Sequence, residues 1–160
     1  MITVHYNNKS LAPNQLWTPS VHGVVLNSKG HILLHKREDS SLWALPGGKM
    51  ELGESVVSCL KRELLEETGF QVSPEKLLGV FSSPEYLLSV KNHIFQPLLI
   101  VFLCDIHDEK PTINNESVAF QRANEESIEN MDTFPLVKEI AHWTWGQANS
   151  AFFDSVSFKG

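Results

Sequence analysis

The chain has 160 residues, of which 42% are hydrophobic and 20% charged, with a formal net charge of -6. That length suits one domain with a sizeable core, residues 1–160, and is too short for two ordinary ones. The acidic balance argues against generic nucleic-acid binding, which needs a basic footprint, although nucleotides can still arrive with divalent cations. No apolar run reaches the roughly 18 residues that a membrane span needs. The start MITVHYNNKS lacks a basic segment followed by an apolar core, so no secretory signal is expected. Cys59 and Cys104 have no metal-type spacing and lie in apolar sequence. They are expected to be buried free thiols, which suits a reducing cytoplasm.

Residues 1–16 alternate weakly and loosen through Asn7-Asn8 and Pro13-Asn14, so an N-terminal arm or extra strand is expected. Residues 17–26 are apolar and β-branched, 27–30 supply a turn and 32–34 are apolar again, the pattern of a β-hairpin. A polar connection, 37–41, leads to Trp43, whose ring reads either as a lid on the core or as a wall for a ligand. A helix is expected over 55–68, with Gly53 and Glu54 just before it and Gly69 as its stop. On that helix Val57, Leu60 and Leu64 form an apolar wedge. Glu63, Glu66 and Glu67 fall within about 100° of arc beside it.

After the helix, 72–75 reads as a turn around Pro74 and 77–81 as a short strand. Residues 82–95 form a long loop or hairpin with Pro84, Tyr86, His93 and Phe95, and a segment of that length is often functional. The most apolar run, 96–106, is expected as a central strand buried on both faces. A polar turn at 108–115 precedes a strand from Ser117 to Phe120, and Asn124-Glu125-Glu126 opens a short helix. Over 135–149, Leu136, Ile140 and Trp143 recur at helical spacing. Strands, helix, strands, helix suit a mixed sheet between helical layers.

Three neighbouring carboxylates on one helix edge repel, each like-charged pair costing a few tenths of a kcal/mol even at the surface. Arg62 can neutralise one of them. A hard divalent cation does more, because Mg²⁺ takes oxygen ligands, keeps several waters and is typically shared between carboxylates and substrate phosphates. Gly47-Gly48 lets the backbone approach closely, so that a main-chain carbonyl can join the ligand set. For an isolated Glu-x-x-Glu-Glu, a solvated acidic face is the alternative.

From Gly48 the chain reads Gly, five residues, Glu54, seven residues, Arg62-Glu63, Leu64, one residue, Glu66-Glu67, one residue, Gly69 and Phe70. This resembles the Nudix box of the Nudix hydrolase family at every specified position, and Trp43-Ala44-Leu45-Pro46 resembles its usual lead-in. The resemblance implies an α/β fold, the α/β/α sandwich with a mixed β-sheet. It also implies hydrolysis of a nucleoside diphosphate linked to a group X, with Mg²⁺ as the cofactor and Mn²⁺ as an alternative. By the same resemblance Glu63, Glu66 and Glu67 are metal ligands with the Gly47 carbonyl, and Arg62 orients them. Glu54 pairs with that arginine or reaches metal through water. The general base is a box glutamate or a later one, here Glu116.

Pro84, fifteen residues after Gly69, resembles the downstream proline of the ADP-ribose pyrophosphatase group. ADP-ribose or a nucleotide sugar is therefore the favoured substrate, ahead of nucleoside triphosphates and dinucleoside polyphosphates. Arg37, Trp43, Tyr86 and Phe95 are the candidates to contact it. Two readings from other classes remain, an isomerase on the same fold and a non-catalytic nucleotide-binding module; the unbroken box favours hydrolysis. A nucleotide-derived small molecule is the expected partner, no membrane association is expected, and self-association as a homodimer is left open.

Overall fold

Side-chain alternation along neighbouring strands feeds two apolar cores at once. Val24, Ile32 and Leu34 enter one core, while Val21, Val25 and Leu33 enter the other. The computed structural model describes residues 2–6, 8, 10–11, 15–16, 19–106, 111, 117–146 and 149–153. Its elements in chain order are β1 (Ile2–Tyr6), β2 (Gln15–Leu16), β3 (Ser20–Val25), β4 (Ile32–Arg37), β5 (Trp43–Ala44), β6 (Gly47–Lys49) and α1 (Val56–Thr68). They continue with β7 (Val72–Phe81), β8 (Tyr86–Val90), β9 (His93–Gln96), β10 (Leu99–Ile106), β11 (Ser117–Ala123), α2 (Glu125–Glu129), α3 (Pro135–Trp145) and β12 (Phe152–Phe153).

The central sheet is mixed and ordered β12-β7-β10-β3-β6, with β10 parallel to β3 and antiparallel to β7. A second sheet is ordered β11-β4-β5 and a third β1-β8-β9-β2. Helix α1 contributes Cys59, Leu60 and Leu64 to one core, and α2 and α3 contribute Ile128, Leu136, Val137, Ile140 and Ala141 to the other. Helices thus cover opposite faces of the sheets, the α/β/α layering expected of this sequence.

Three local expectations change. The hairpin over 17–34 opens out: β3 and β4 share the bridge Leu26↔Ile32 and then enter different sheets. A strand has two edges, and those of β3 are taken by β10 and β6, while those of β4 are taken by β11 and β5. The turn expected around Pro74 is part of the ten-residue β7. Proline cannot donate to a ladder, and the β10–β7 register shifts between Leu103 and Cys104, the partner of Pro74, to accommodate it. Strand β10 is central, yet only Val101 and Cys104 are buried along it, with Leu99 and Leu103 packing half-buried against one core and Phe102 and Ile106 against the other.

Segment 82–95 resolves into the hairpin β8–β9, turned by Lys91 at φ 54 and Asn92. Strand β1 adds to that hairpin antiparallel to β8. Helix α3 ends at Trp145, short of the 149 expected. Trp17, the 108–115 turn apart from Pro111, and Glu116 lie outside the described residues.

Helix α1 begins and ends as its sequence suggests. Ser55 caps it by accepting from the Ser58 N–H, and Gly69 closes it at φ 78, a conformation that glycine reaches without penalty. Leu60 and Leu64 are fully buried, whereas Val57 is half-buried and Val56 makes the contact with the core in its place. Leu64→Ala should therefore destabilise the fold by about 2–5 kcal/mol, read as a lowered urea midpoint. An unchanged midpoint would show that the wedge is not what holds α1.

Candidate active site

The acidic edge of α1 is organised by one guanidinium. Arg62 grips Glu54 with two bonds, Nε to Oε1 at 2.6 Å and Nη2 to Oε2 at 2.9 Å. Its Nη1 donates to Glu63 Oε1 at 2.7 Å and Glu66 Oε2 at 3.2 Å, and Nη2 also reaches the Lys49 carbonyl at 3.2 Å. The paired guanidinium, helped by the Glu51 N–H, holds the Glu54 carboxyl down at about 2. The same carboxylates raise the pKa of Arg62 above its ordinary value.

Glu67 is held differently. It is 3% exposed, and its Oε2 accepts the Gly47 N–H at 2.6 Å. His35 Nε2 stands 3.7 Å from the same oxygen. Strand β6 brings the two glycines to this place by pairing Gly47 with His22 and Gly48 with Val21. Gly47 sits at φ 140, where any Cβ would strike the Val21 carbonyl. A Cβ on Gly48 would lie 2.5 Å from Glu63 Oε2, so the absent side chain is the space the carboxylate occupies.

These groups open on a cavity of about 460 Å³. Its lining combines Glu63, Glu66, Glu67, Arg62, Arg37 and Lys49 with aliphatic side chains, including Ile2, Val4, Leu88, Val137 and Ile140, and with Tyr86. Arg37 is braced by Asp39 through two bonds, at 2.9 and 2.7 Å, which lowers the Asp39 pKa. Burial, and then the charge of Arg37, lower the Lys49 pKa.

Of the residues expected to contact substrate, Arg37 and Tyr86 line this cavity, and Trp43 and Phe95 do not. Trp43 lies half-buried with Lys36 Nζ 6.0 Å over its ring, and its backbone ties the β5 segment to Asp132 and Phe134. Phe95 stands on β9 opposite Leu88, with its ring near His93. Glu54 joins the site through Arg62 without lining the cavity.

Sequence reasoning missed the two histidines of the central strands. His22 lines the cavity, with Nδ1 3.3 Å from the Leu45 carbonyl and Nε2 3.2 Å from Ser20 Oγ. A carbonyl only accepts, so Nδ1 carries the proton. Burial pushes the His22 pKa down to about 4, the Leu45 carbonyl opposing and Arg37 assisting. His35, fully buried in β4, is likewise lowered to about 4, chiefly by burial and then by Arg37. The available signal was strand alternation, which places His22 on the face of β3 that carries Val24.

An oxygen-rich donor set of three glutamates and a glycine backbone suits a hard divalent cation. Among the described residues the acidic side chains do not already form a closed metal cage. They are drawn instead onto Arg62 and the Gly47 N–H.

The His22 shift has a consequence for stability. Its folded pKa of about 4 lies below the ordinary 6.5, so the unfolded chain takes up the proton first as pH falls. Its contribution is complete above 6.5 and is lost progressively towards 4, by about 1–3 kcal/mol. Urea midpoints measured at pH 7.5 and 5.0 should show a larger drop for the wild type than for His22→Gln.

The family model NUDIX domain matches residues 16–147. A Methanocaldococcus jannaschii protein named ADP-ribose pyrophosphatase is 31% identical over 133 residues, covering 76% of this chain and 72% of that one. A Bacillus subtilis (strain 168) protein named putative 8-oxo-dGTP diphosphatase is 39% identical over 80 residues, 50% of this chain and 52% of its own; the chain thus spans about half the length of that relative. Among solved structures, a MutT protein from Methanosarcina mazei Go1 shares the fold with a TM-score of 0.69 at 23% identity, over 84% of this chain and 98% of that one. With the family model matching most of the chain and the box glutamates gathered around Arg62 and Gly47, this chain belongs to the NUDIX domain family.

Proposed function

We propose that this chain is a divalent-metal-dependent pyrophosphohydrolase that cleaves the diphosphate linkage of a nucleoside diphosphate joined to a group X. The observation that carries this reading is the presence of opposite charges in one cavity: Glu63, Glu66 and Glu67 line it together with Arg37 and Lys49. Acidic groups alone would attract only a cation and basic groups only an anion. Together they suit a polyphosphate that arrives with its metal.

The division of labour follows from the chain's own residues. Glu63, Glu66, Glu67 and the Gly47 carbonyl would hold Mg²⁺ or Mn²⁺, and Arg62 keeps the first two carboxylates oriented. When bound, the ion supplies charge neutralisation of the pyrophosphate and a lowered pKa for a coordinated water. Arg37 and Lys49 meet the remaining phosphate oxygens. A box glutamate or Glu116 takes the proton from the attacking water. Tyr86 stacks a nucleobase against the aliphatic wall.

ADP-ribose or a nucleotide sugar is the favoured substrate, because the relative so named aligns over three quarters of this chain. Pro84 adds nothing to that choice, since it is exposed at the start of the β8–β9 hairpin and does not line the cavity. Nucleoside triphosphates are the second reading, supported by the apolar wall, which offers a base a face but a second sugar few partners. Two buried free thiols suit a cytoplasmic setting.

A screen of ADP-ribose, nucleotide sugars and nucleoside triphosphates with Mg²⁺, reading released monophosphate or pyrophosphate, tests the reading. No turnover of any member with either Mg²⁺ or Mn²⁺ would leave a binding module as the better description. Glu67→Gln keeps the shape and removes the charge, so activity should fall at least about 100-fold while the melting temperature changes little. Gly48→Ala should also keep the fold, because what its Cβ meets is the flexible end of Glu63. The displaced carboxylate should raise the Mg²⁺ concentration needed for half-maximal activity.

For the base, Tyr86→Ala should weaken substrate binding about 5- to 150-fold, the 1–3 kcal/mol typical of a stacked base, and Phe95→Ala should leave it unchanged. Equal KM values for wild type and Tyr86→Ala would remove Tyr86 from the substrate site.

A further inference from the structure

His35 is a buried polar group that the reaction outlined above does not use. It has no solvent exposure, and its neutral ring carries one proton on one of two nitrogens. Nδ1 lies 2.8 Å from Ser117 Oγ at the start of β11. Nε2 makes no hydrogen bond of good geometry with the described residues, the Leu45 carbonyl acting on the ring only weakly, and it faces Glu67 Oε2 at 3.7 Å, beyond hydrogen-bond reach.

Ser117 can hold the ring in either tautomer. Its hydroxyl has one hydrogen and two acceptors at hand, His35 Nδ1 at 2.8 Å and the Glu67 carbonyl at 3.3 Å. Given to Nδ1, it leaves the ring proton on Nε2; given to the Glu67 carbonyl, it leaves the ring proton on Nδ1, which then donates to Oγ. Electrostatics selects the first arrangement. A bare nitrogen lone pair facing a buried carboxylate oxygen repels it, an N–H dipole attracts it, and low local dielectric enlarges the difference.

Glu67 stands apart from the Arg62 fork and next to this donor. Arg62 holds Glu54, Glu63 and Glu66, whereas Glu67 takes the Gly47 N–H on one side and meets His35 on the other. We propose that His35 is a positioning residue, whose Nε2–H, held in that tautomer by Ser117, orients the Glu67 carboxylate as a ligand for a divalent cation. The inference rests on the metal assignment made above. Loss of such an outer partner commonly weakens metal binding 10- to 100-fold.

The test uses the full chain and Mn²⁺ without substrate, with free ion read by electron paramagnetic resonance. His35→Phe should bind Mn²⁺ about tenfold more weakly than wild type, and His35→Gln, whose amide can donate, should recover part of the loss. Long-range ¹H–¹⁵N spectra of histidine-labelled protein at pH 7 should show the His35 proton on Nε2, its signals being those missing from the His35 variants. A proton on Nδ1, or wild-type Mn²⁺ affinity in His35→Phe, overturns the proposal. Should the Phe variant not fold, Ser117→Ala replaces it; a several-fold weaker affinity supports the proposal and an unchanged affinity overturns it. Mn²⁺ binding that Glu67→Gln abolishes and His35→Phe spares sinks the role of His35 alone. A wild type that binds no Mn²⁺ overturns the metal assignment and this inference with it.

Discussion

The fork of Arg62 is the interaction on which the acidic edge of α1 depends. Two like charges about 4 Å apart repel by roughly 4 kcal/mol at an effective dielectric of 20, well above what a surface helix pair contributes. Solvent screens part of this for Glu66, whose side chain is 58% exposed, and much less for Glu63 at 13%. One planar cation with five donors can serve Glu54, Glu63, Glu66 and the Lys49 carbonyl together, which a lysine ammonium with three donors cannot. The carboxylates are thereby kept near one another, an arrangement that a divalent cation can use.

The second constraint is the closeness of α1 to the sheet. A Cβ on Gly23 would lie 2.7 Å from Leu64 Cδ2, and Gly48 leaves its space to the Glu63 carboxylate. Core and site therefore share one spacing. The packing of Leu60 and Leu64 that buries the helix also brings its glutamates against the β6 backbone, where the Gly47 N–H meets Glu67. A change that lifts the helix from the sheet reaches both.

The cavity draws its lining from parts of the chain far apart in sequence. Its charged lining comes from β4, β6 and α1, and much of its aliphatic lining from β1, β8 and α3. Strand β1 reaches the cavity by pairing with the β8–β9 hairpin, so Ile2 and Val4 share the wall with Val137 and Ile140.

What the sequence by itself determined is the part written in local spacing. The helix with its Ser55 and Gly69 ends, the three glutamates on one edge, Arg62 among them and the glycines before them depend on residues within one turn or one loop of each other. Only the tertiary structure decided which strands share a sheet, because the edges of β3 and β4 were claimed by β10, β6, β11 and β5 from elsewhere in the chain. It likewise brought Arg37 and Tyr86 to the cavity, left Trp43 and Phe95 off it, and placed His35 and Ser117, 82 positions apart, against Glu67. Spacing along a chain says which face a side chain takes. Which other face it meets is settled by packing, where burial and hydrogen-bond satisfaction are achieved across segments that carry no record of one another.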